Sequence, residues 1–539
     1  MSFKSPFPDI DIPAISIYDF LFGSIAEADL DRPALVAGAT GAATSYRQLI
    51  AQIDAVAGAL AARGVGIGDV VGLLSPNTPA FATVFHGILR SGATATTINA
   101  LHTADDIAKQ LLDSQAKVLF TAAPLLTQAE AAAAKVGIAD QNLIMLDRPA
   151  GRISLPDLLA ENASAPEVSL DPATHLAVLP YSSGTTGPPK GVMLTHTNLV
   201  ANVCQSTFPI GVSPEDKVLA VLPFFHIYGM TVLLNLALHQ RATLVTMPKF
   251  ELPEFLRIVE ENKCTYLFIA PPIAIALAKH PLVDQFDLSS IHTIVSGAAP
   301  LDHELGMAVS RRLSCRVRQG YGMSEMSPVS HVIPIDDNET RLDSCGVTIP
   351  NMECKLVDPV TCQEIAYPRD GSSMTSAPGE LWCKGPNVMV GYLGNPRATA
   401  DILDADGFLH TGDIATVDGQ GLVTIVDRMK ELIKYKGYQV PPAELEALLL
   451  THPCIADAAV VGVLDEHGEE VPKAFVVKQT GADIDETAVI GFVAARVSPH
   501  KKIRRVQFID MIPKSPAGKI LRRELRNQPT SNPVPKSNR

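Results

Sequence analysis

The chain has eight cysteines in 539 residues but no Cys-x-x-Cys pair, a scatter that suits neither a zinc site nor a secreted disulfide framework. Reduced thiols in a cytoplasmic protein are the plain reading. A basic excess is also missing: the formal net charge is −13 and the pI about 5.5, so no nucleic-acid partner is expected. Local lysines can still outweigh that balance for a small anion. The opening Met1-Ser-Phe-Lys-Ser-Pro-Phe-Pro has no apolar run behind a basic start, and the closing Pro-Lys-Ser-Asn-Arg539 is no peroxisomal address; no targeting segment is expected. One long uncharged run exists, Val218–Leu238, and its 21 residues could span a bilayer. It contains Pro223, His226, Tyr228, Gly229 and Asn235 and has no basic flank, so it is read as a buried strand, turn and helix, with no membrane span.

What is present is a globular composition, 47% apolar and 19% charged. Single cores stop growing at about 250–300 residues, so at least two domains are expected. No internal repeat is visible. Helical spacing over 47–63, closed by Gly64, alternates with short apolar runs at 69–74, 117–121, 142–146, 242–246 and 266–270. Strands alternating with helices predict layered α/β sheets with parallel strands. From about 345 short apolar runs sit between Gly, Pro and Asp turns, a β-rich subdomain. After Arg428 come a hairpin, a helix launched by Pro441-Pro442 and further strands, a small α+β domain. The polar, Pro-rich tail from 527 is expected to be disordered.

The most informative segment is Leu179-Pro-Tyr-Ser-Ser-Gly-Thr-Thr-Gly-Pro-Pro-Lys-Gly-Val192. An apolar strand runs into a loop with three glycines, four Ser/Thr hydroxyls and Lys190. Glycines let backbone N–H groups approach a phosphate, and the hydroxyls and lysine add donors and charge. It is not a Walker A loop, because Pro189 stands where that motif needs glycine. The segment resembles the AMP-binding signature of the adenylate-forming superfamily: acyl-CoA synthetases, nonribosomal-peptide adenylation domains and luciferases. The likeness continues in order through Gln319-Gly-Tyr-Gly-Met-Ser-Glu325, Gly379-Glu-Leu, Gly391-Tyr392, His410-Thr-Gly-Asp413, Asp427-Arg428 and Lys514-Ser-Pro-Ala-Gly-Lys519. Phe225-His-Ile-Tyr228, Pro248-Lys-Phe-Glu251 and the 430–446 segment resemble 4-coumarate:CoA ligases most.

The resemblance implies an ATP-dependent acid–CoA ligase. Ser182, Ser183, Gly184, Thr185, Thr186 and Lys190 are expected around the phosphates, with Gln319, Gly320, Tyr321 and Ser324 on the nucleotide, Glu325 on Mg²⁺, and Asp413 and Arg428 on the ribose side. Lys519 is implied to meet the reacting carboxylate and α-phosphate, with His226 near that carboxylate. Tyr228, Ala298, Gly320 and Val329 are implied to line the acyl pocket. Lys430 is implied as a hinge near the acyl intermediate, with Lys434 and Gln439. Lys249, Lys436 and Gly437 are implied to contact coenzyme A. Lys514 and the basic run His500–Arg505 are read as solvated charges. The implied domains are 1–427, a hinge at 428–430, a mobile domain over 431–526 and the tail 527–539. The expected substrates are ATP, coenzyme A and a hydroxycinnamate-like aryl acid, or alternatively a medium-chain or longer fatty acid. The box after Gly379 reads Glu-Leu-Trp-Cys-Lys-Gly and departs from the plant coumarate-ligase form. A luciferase-like oxygenase, a carrier-protein loading enzyme and a non-enzymatic nucleotide-binding protein are the rival readings.

Overall fold

The computed structural model describes residues 2–147, 151–182, 189–435, 438–465, 469–515 and 518–527, with only the backbone of Gln439. Two compact units emerge from the packing. The larger comprises Ser2–Cys354 and Cys383–His410, the smaller Lys355–Trp382 and Thr411–Arg539.

Two sheets organise the larger unit. A nine-stranded sheet has the order Val347–Thr348, Val329–Val332, Arg316–Gly322, Thr293–Ser296, Tyr266–Ile269, Lys217–Ala220, Thr243–Thr246, Pro33–Ala37, Ala43–Ser45. Its six central strands pair in parallel, and the strands at both edges turn antiparallel. Parallel strands are covered on both faces, and Tyr266–Ile269 is correspondingly buried at every position. An eight-stranded sheet carries Thr94–Ile98, Val70–Leu74, Ala116–Thr121 and Leu143–Met145 in parallel. The layered α/β reading is correct, and the helix expected at 47–63 is Tyr46–Ala62, capped by Ser45.

The uncharged run Val218–Leu238 folds as expected into a strand, Lys217–Ala220, a turn, and a helix. The helix winds as a π-helix over Tyr228–Asn235 before tightening to α over Leu236–His239. Among the described residues no helix is long and apolar enough to cross a membrane.

Segments 355–357, 379–382, 411–417 and 423–428 of the smaller unit line up in that order in a sheet. The hairpin Ile433–Tyr435 with Tyr438–Val440 follows, then helix Pro442–Leu450. A three-stranded sheet of Ile455–Leu464, Glu470–Lys478 and Arg505–Phe508 completes it. Strand Ile455–Leu464 alternates between two apolar layers, Ala458 and Val460 on one side and Ala459 and Val461 on the other. The packing does not divide at 428–430. Residues 355–382 and 411–427 group with those that follow them, and the Asp427 carboxylate accepts the Ala443 amide at 3.0 Å at the start of the next helix.

Arg318 is the bulkiest fully buried side chain of the central sheet. Its guanidinium donates to the carbonyls of Pro209 (2.9 Å), Ile210 (2.6 Å) and Ile333 (3.0 Å), and to the Tyr266 hydroxyl. The end of helix His196–Ile210 and the residue after strand Val329–Val332 thus depend on one cation. Arg318→Leu strands those carbonyls at about 1–3 kcal/mol each. It is expected to lower the thermal midpoint by about 5 °C or more, and a melting curve coincident with the parent's contradicts this account.

Candidate active site

Ligands of open α/β sheets gather at the carboxyl ends of parallel strands, and the expected acyl-pocket residues lie there. Strand Lys217–Ala220 leads to His226 and Tyr228, strand Thr293–Ser296 to Gly297 and Ala298, and strand Arg316–Gly322 carries Gly320. His226 Nδ1 accepts the Tyr228 amide at 3.3 Å, and the Tyr228 hydroxyl donates to the Val295 carbonyl at 3.4 Å. Burial holds that phenol far above its ordinary range, so it stays a donor. A Cβ on Gly297 would come within 2.8 Å of Cε1 of Tyr228, so the ring uses the space that glycine leaves. Ala298 is held at φ +71°, a left-handed conformation costly for alanine. Val329 is buried and pairs with Gly322 across the sheet edge.

The signature loop leaves and re-enters through a short antiparallel pair, Ser182 opposite Lys190 and Tyr181 opposite Gly191. Ser183, Gly184, Thr185 and Thr186 lie outside the described residues. The Tyr181 hydroxyl anchors this stem by donating to Asp113 at 2.6 Å. The Lys190 ammonium lies 4.4 Å from the centroid of the Tyr392 ring, and the Tyr392 hydroxyl donates to Glu325 Oε1 at 2.7 Å. Lys190 and Glu325 are therefore joined through a residue that the sequence reading quoted only as part of Gly391-Tyr392. Burial and the Glu325 carboxylate push the Tyr392 phenol up, keeping its proton on the donor side.

Glu325 sits in the short turn Ser324–Met326 and is 5% exposed. Its carbonyl accepts the Met389 amide at 2.9 Å. Three amides of helix His196–Ile210 hold the surrounding loops. Asn198 donates to the Pro386 (2.8 Å) and Val388 (2.9 Å) carbonyls, Asn202 to Val329 (2.8 Å) and Gln205 to Pro350 (2.8 Å). Asn387 completes the set by donating to the Met326 carbonyl at 2.7 Å.

Gln319 does different work from a nucleotide-contacting side chain. Its amide donates to the Leu342 (2.9 Å) and Ser344 (3.0 Å) carbonyls and accepts the Leu301 amide. It clamps two backbone segments, at 301 and at 342–344. The Tyr321 ring lies 6.0 Å from that of His331, its partner on the adjacent strand. Lys249 is exposed and paired with Glu251 at 2.7 Å.

In the smaller unit Asp413 and Arg428 are cross-strand partners, with Nε of Arg428 3.5 Å from Oδ1 of Asp413. The turn before Asp413 is fixed by Glu380, a second residue whose role the sequence reading missed. Its Oε1 accepts the Gly412 amide at 2.9 Å, and its Oε2 accepts the indole of Trp382 at 2.8 Å. Gly412 adopts φ +71°, which favours glycine there. Lys430 is exposed, inside the turn in which the Glu431 amide bonds the Arg428 carbonyl at 2.9 Å. Lys434 lies opposite Gln439 in the following hairpin, while Lys436, Gly437 and the Gln439 side chain lie outside what is described. Lys519 lies in a loop closed on itself: its amide donates to Ser515 Oγ at 3.2 Å and its carbonyl accepts the Ser515 amide at 2.7 Å. Lys514, read as a solvated charge, is instead a half-buried partner of Asp457 at 2.6 Å.

A lysine at the stem of a hydroxyl–glycine loop and a buried carboxylate from the neighbouring sheet, brought together at Tyr392, suit an enzyme that handles a nucleotide. Residues 23–393 match the model of the AMP-binding enzyme family and residues 444–519 that of the AMP-binding enzyme C-terminal domain, so the chain belongs to this family. Among individual proteins, it is 41% identical to 4-coumarate–CoA ligase 1 of Petroselinum crispum over 99% of this chain and 98% of that protein. It is also 41% identical to 4-coumarate:CoA ligase 1 of Petunia hybrida, over 97% of this chain and 96% of that one. The solved structure of ATP-bound MatB from Rhodopseudomonas palustris is 29% identical and superposes with a TM-score of 0.85, over 95% of this chain and 98% of that one.

Glu380 links the chain's single tryptophan to the backbone beside Asp413. ATP titration is therefore expected to change Trp382 emission. Glu380→Ala is expected to shift the unliganded spectrum and weaken ATP binding about tenfold, the scale of a lost hydrogen bond to a charged group. A variant with the parent's spectrum and affinity contradicts the assignment.

Proposed function

We propose that the chain is an AMP-forming acid–CoA ligase acting on a hydroxycinnamate-like aryl acid. The observation carrying this reading is the 41% identity, across 99% of the chain, to a 4-coumarate–CoA ligase. Lys190, Glu325, Asp413, Arg428 and Lys519 are all retained in the positions that the family motifs require. In the first half-reaction a carboxylate oxygen attacks the α-phosphorus of ATP, the bond to the leaving phosphate breaks, and pyrophosphate departs. In the second the coenzyme A thiol, losing its proton, attacks the acyl carbon and AMP leaves.

The difficulty of the first step is electrostatic, since one anion must approach another. Lys519 supplies a positioned ammonium on the meeting oxygens, an effect of about 3–4 kcal/mol by analogy with oxyanion donors. His226 orients the acid, and Tyr228, Ala298, Gly320 and Val329 shape its pocket. Asp413 accepts from the ribose hydroxyls, with Arg428 beside it.

Glu325 fits a Mg²⁺ ligand. Oε1 holds the Tyr392 hydroxyl, and among the described residues Oε2 has no hydrogen-bond donor. No group of three or more His, Cys, Asp or Glu among the described residues could hold a metal ion, so a cation bound here takes most of its ligands from phosphates and water. Bound there, Mg²⁺ would offset charge on the phosphates. Lys430 serves as the hinge about which Lys519 withdraws and the 434–439 hairpin turns in, with Lys436 and Gly437, and Lys249 as a further contact, meeting coenzyme A. All eight cysteines are free, which fits a reducing cytoplasm.

Pyrophosphate release, measured with Mg-ATP across aryl and alkyl acids and with or without coenzyme A, tests the assignment. Hydroxycinnamates are expected to head the panel; a preference for alkyl acids gives the fatty acyl reading instead. Lys519→Ala is expected to cut that release about a hundredfold or more while sparing thioester formation from preformed acyl-adenylate. Undiminished release removes Lys519 from the chemistry. Lys430→Pro is expected to reverse the pattern, losing thioester formation more than adenylation, and equal loss of both steps argues against the hinge.

A further inference from the structure

We propose that Tyr392 is a positioning residue for the ATP half-reaction, its hydroxyl orienting the Glu325 carboxylate and its ring face holding the Lys190 ammonium. The inference rests on the reading that Lys190 and Glu325 serve ATP, and it adds the element that makes them one unit. Tyr392 is itself fixed. It lies opposite Val192 in an antiparallel pair, its amide donates to Thr399 Oγ1 at 2.9 Å, and it is 5% exposed. The loop before it is tied down by Asn198 at Pro386 and Val388. A Cβ on the preceding Gly391 would lie 2.9 Å from Thr399, so the strand cannot easily be re-registered.

Phenylalanine would fill the same space if packing were the only demand. The hydroxyl at 2.7 Å from Oε1 instead selects which carboxylate oxygen is held and turns Oε2 toward other partners. The ring contact is equally specific in its chemistry. A carboxylate beside Lys190 would neutralise the cation that a phosphate needs, whereas an aromatic face steadies an ammonium and leaves its charge available. One side chain thus sets an acceptor for the cation and a donor for the phosphates at a fixed separation.

The two functions separate by mutation. ATP binding is measured by calorimetry without any carboxylic acid, so no turnover occurs, in the presence and absence of Mg²⁺. Tyr392→Phe keeps the ring and is expected to bind metal-free ATP within about twofold of the parent while losing about tenfold of the enhancement given by Mg²⁺. Tyr392→Leu is expected to weaken metal-free ATP binding as well, by about threefold to fivefold. A Phe variant with the parent's Mg²⁺ enhancement overturns the proposal, as does one that loses metal-free binding as fully as the Leu variant. Should Tyr392→Leu fail to fold, the Phe variant decides the matter alone. If the parent protein itself never releases pyrophosphate, the underlying assignment fails; if it does and Tyr392→Phe matches it in both titrations, only this inference fails.

Discussion

The loop that carries Glu325 is buried, and burial makes every backbone amide and carbonyl in it a liability unless it is paired. No strand runs alongside to pair them. The loop's partners are the Met389 amide on the Glu325 carbonyl, Asn387 on Met326 and, from helix His196–Ile210, Asn202 on Val329, while Asn198 and Gln205 on the same helix face hold the neighbouring segments at 386–388 and 350. Each side-chain amide carries donor and acceptor on two separate atoms, so it can bond an N–H and a C=O of irregular backbone at once. Asn202 uses both ends on one residue, donating to the Val329 carbonyl and accepting the Val329 amide at 3.1 Å. Without Asn387 and Asn202 the carbonyls of Met326 and Val329 would be buried without their side-chain donors. The capping box at Thr195, formed with Asn198, starts this helix directly after the signature strand Lys190–Thr195. One continuous stretch of chain therefore anchors both the lysine and the loop opposite it.

Charge is handled by the same economy of placement. A chain with a net charge of −13 cannot attract phosphates by its overall field, so binding falls to individual cations in defined surroundings. Lys190 faces a ring. Lys514 and Lys519 come from one short loop yet differ in setting, because Lys514 is held by Asp457 at 2.6 Å. That pair pins the loop's first residue to strand Ile455–Leu464, while the Ser515 hydroxyl and main chain close the rest around Lys519. Lys514 is thereby a strut, a role that residue type alone does not reveal, and Lys519 is the lysine proposed above for the reaction.

Legibility from sequence followed the range of the interactions. Local periodicity placed the helix at Tyr46–Ala62 and the strands at Val70–Leu74 and Tyr266–Ile269 within a residue or two, since those patterns are set by immediate neighbours. The uncharged run was correctly read as strand, turn and helix; its π winding depends on packing and left no periodic mark. Gln319 was taken for a ligand contact because it stands in a motif, but its amide answers carbonyls at 342 and 344 that only the tertiary fold brings near. Tyr392 needs the pairing of Val192 with Tyr392, a register between strands two hundred residues apart, before its hydroxyl has anything to meet. Glu380 is similar: its two partners, Gly412 and Trp382, become neighbours only through the sheet.

The hinge proposed at Lys430 would let one site serve two reactions without two folds. Upstream, Arg428 is held on a strand by its pairing with Asp413. Downstream, the Ala443 amide opens helix Pro442–Leu450 and is accepted by the Asp427 carboxylate at 3.0 Å. A rotation about Lys430 must break that hydrogen bond, whose scale of about 1.5–3 kcal/mol is that of a bond to a charged acceptor. Differential binding of ATP in one arrangement and coenzyme A in the other readily reaches such an energy. Burial raises the Asp427 carboxyl above its ordinary range, and the backbone amides of Ala443 and Arg428 act against that rise. The Lys430 side chain is exposed, while Leu432 and Ile433 just beyond it are buried. The helix beyond is packed through Leu445 and Leu449 into its own core, so a turn at the proposed hinge would carry that helix as a unit and leave its packing intact.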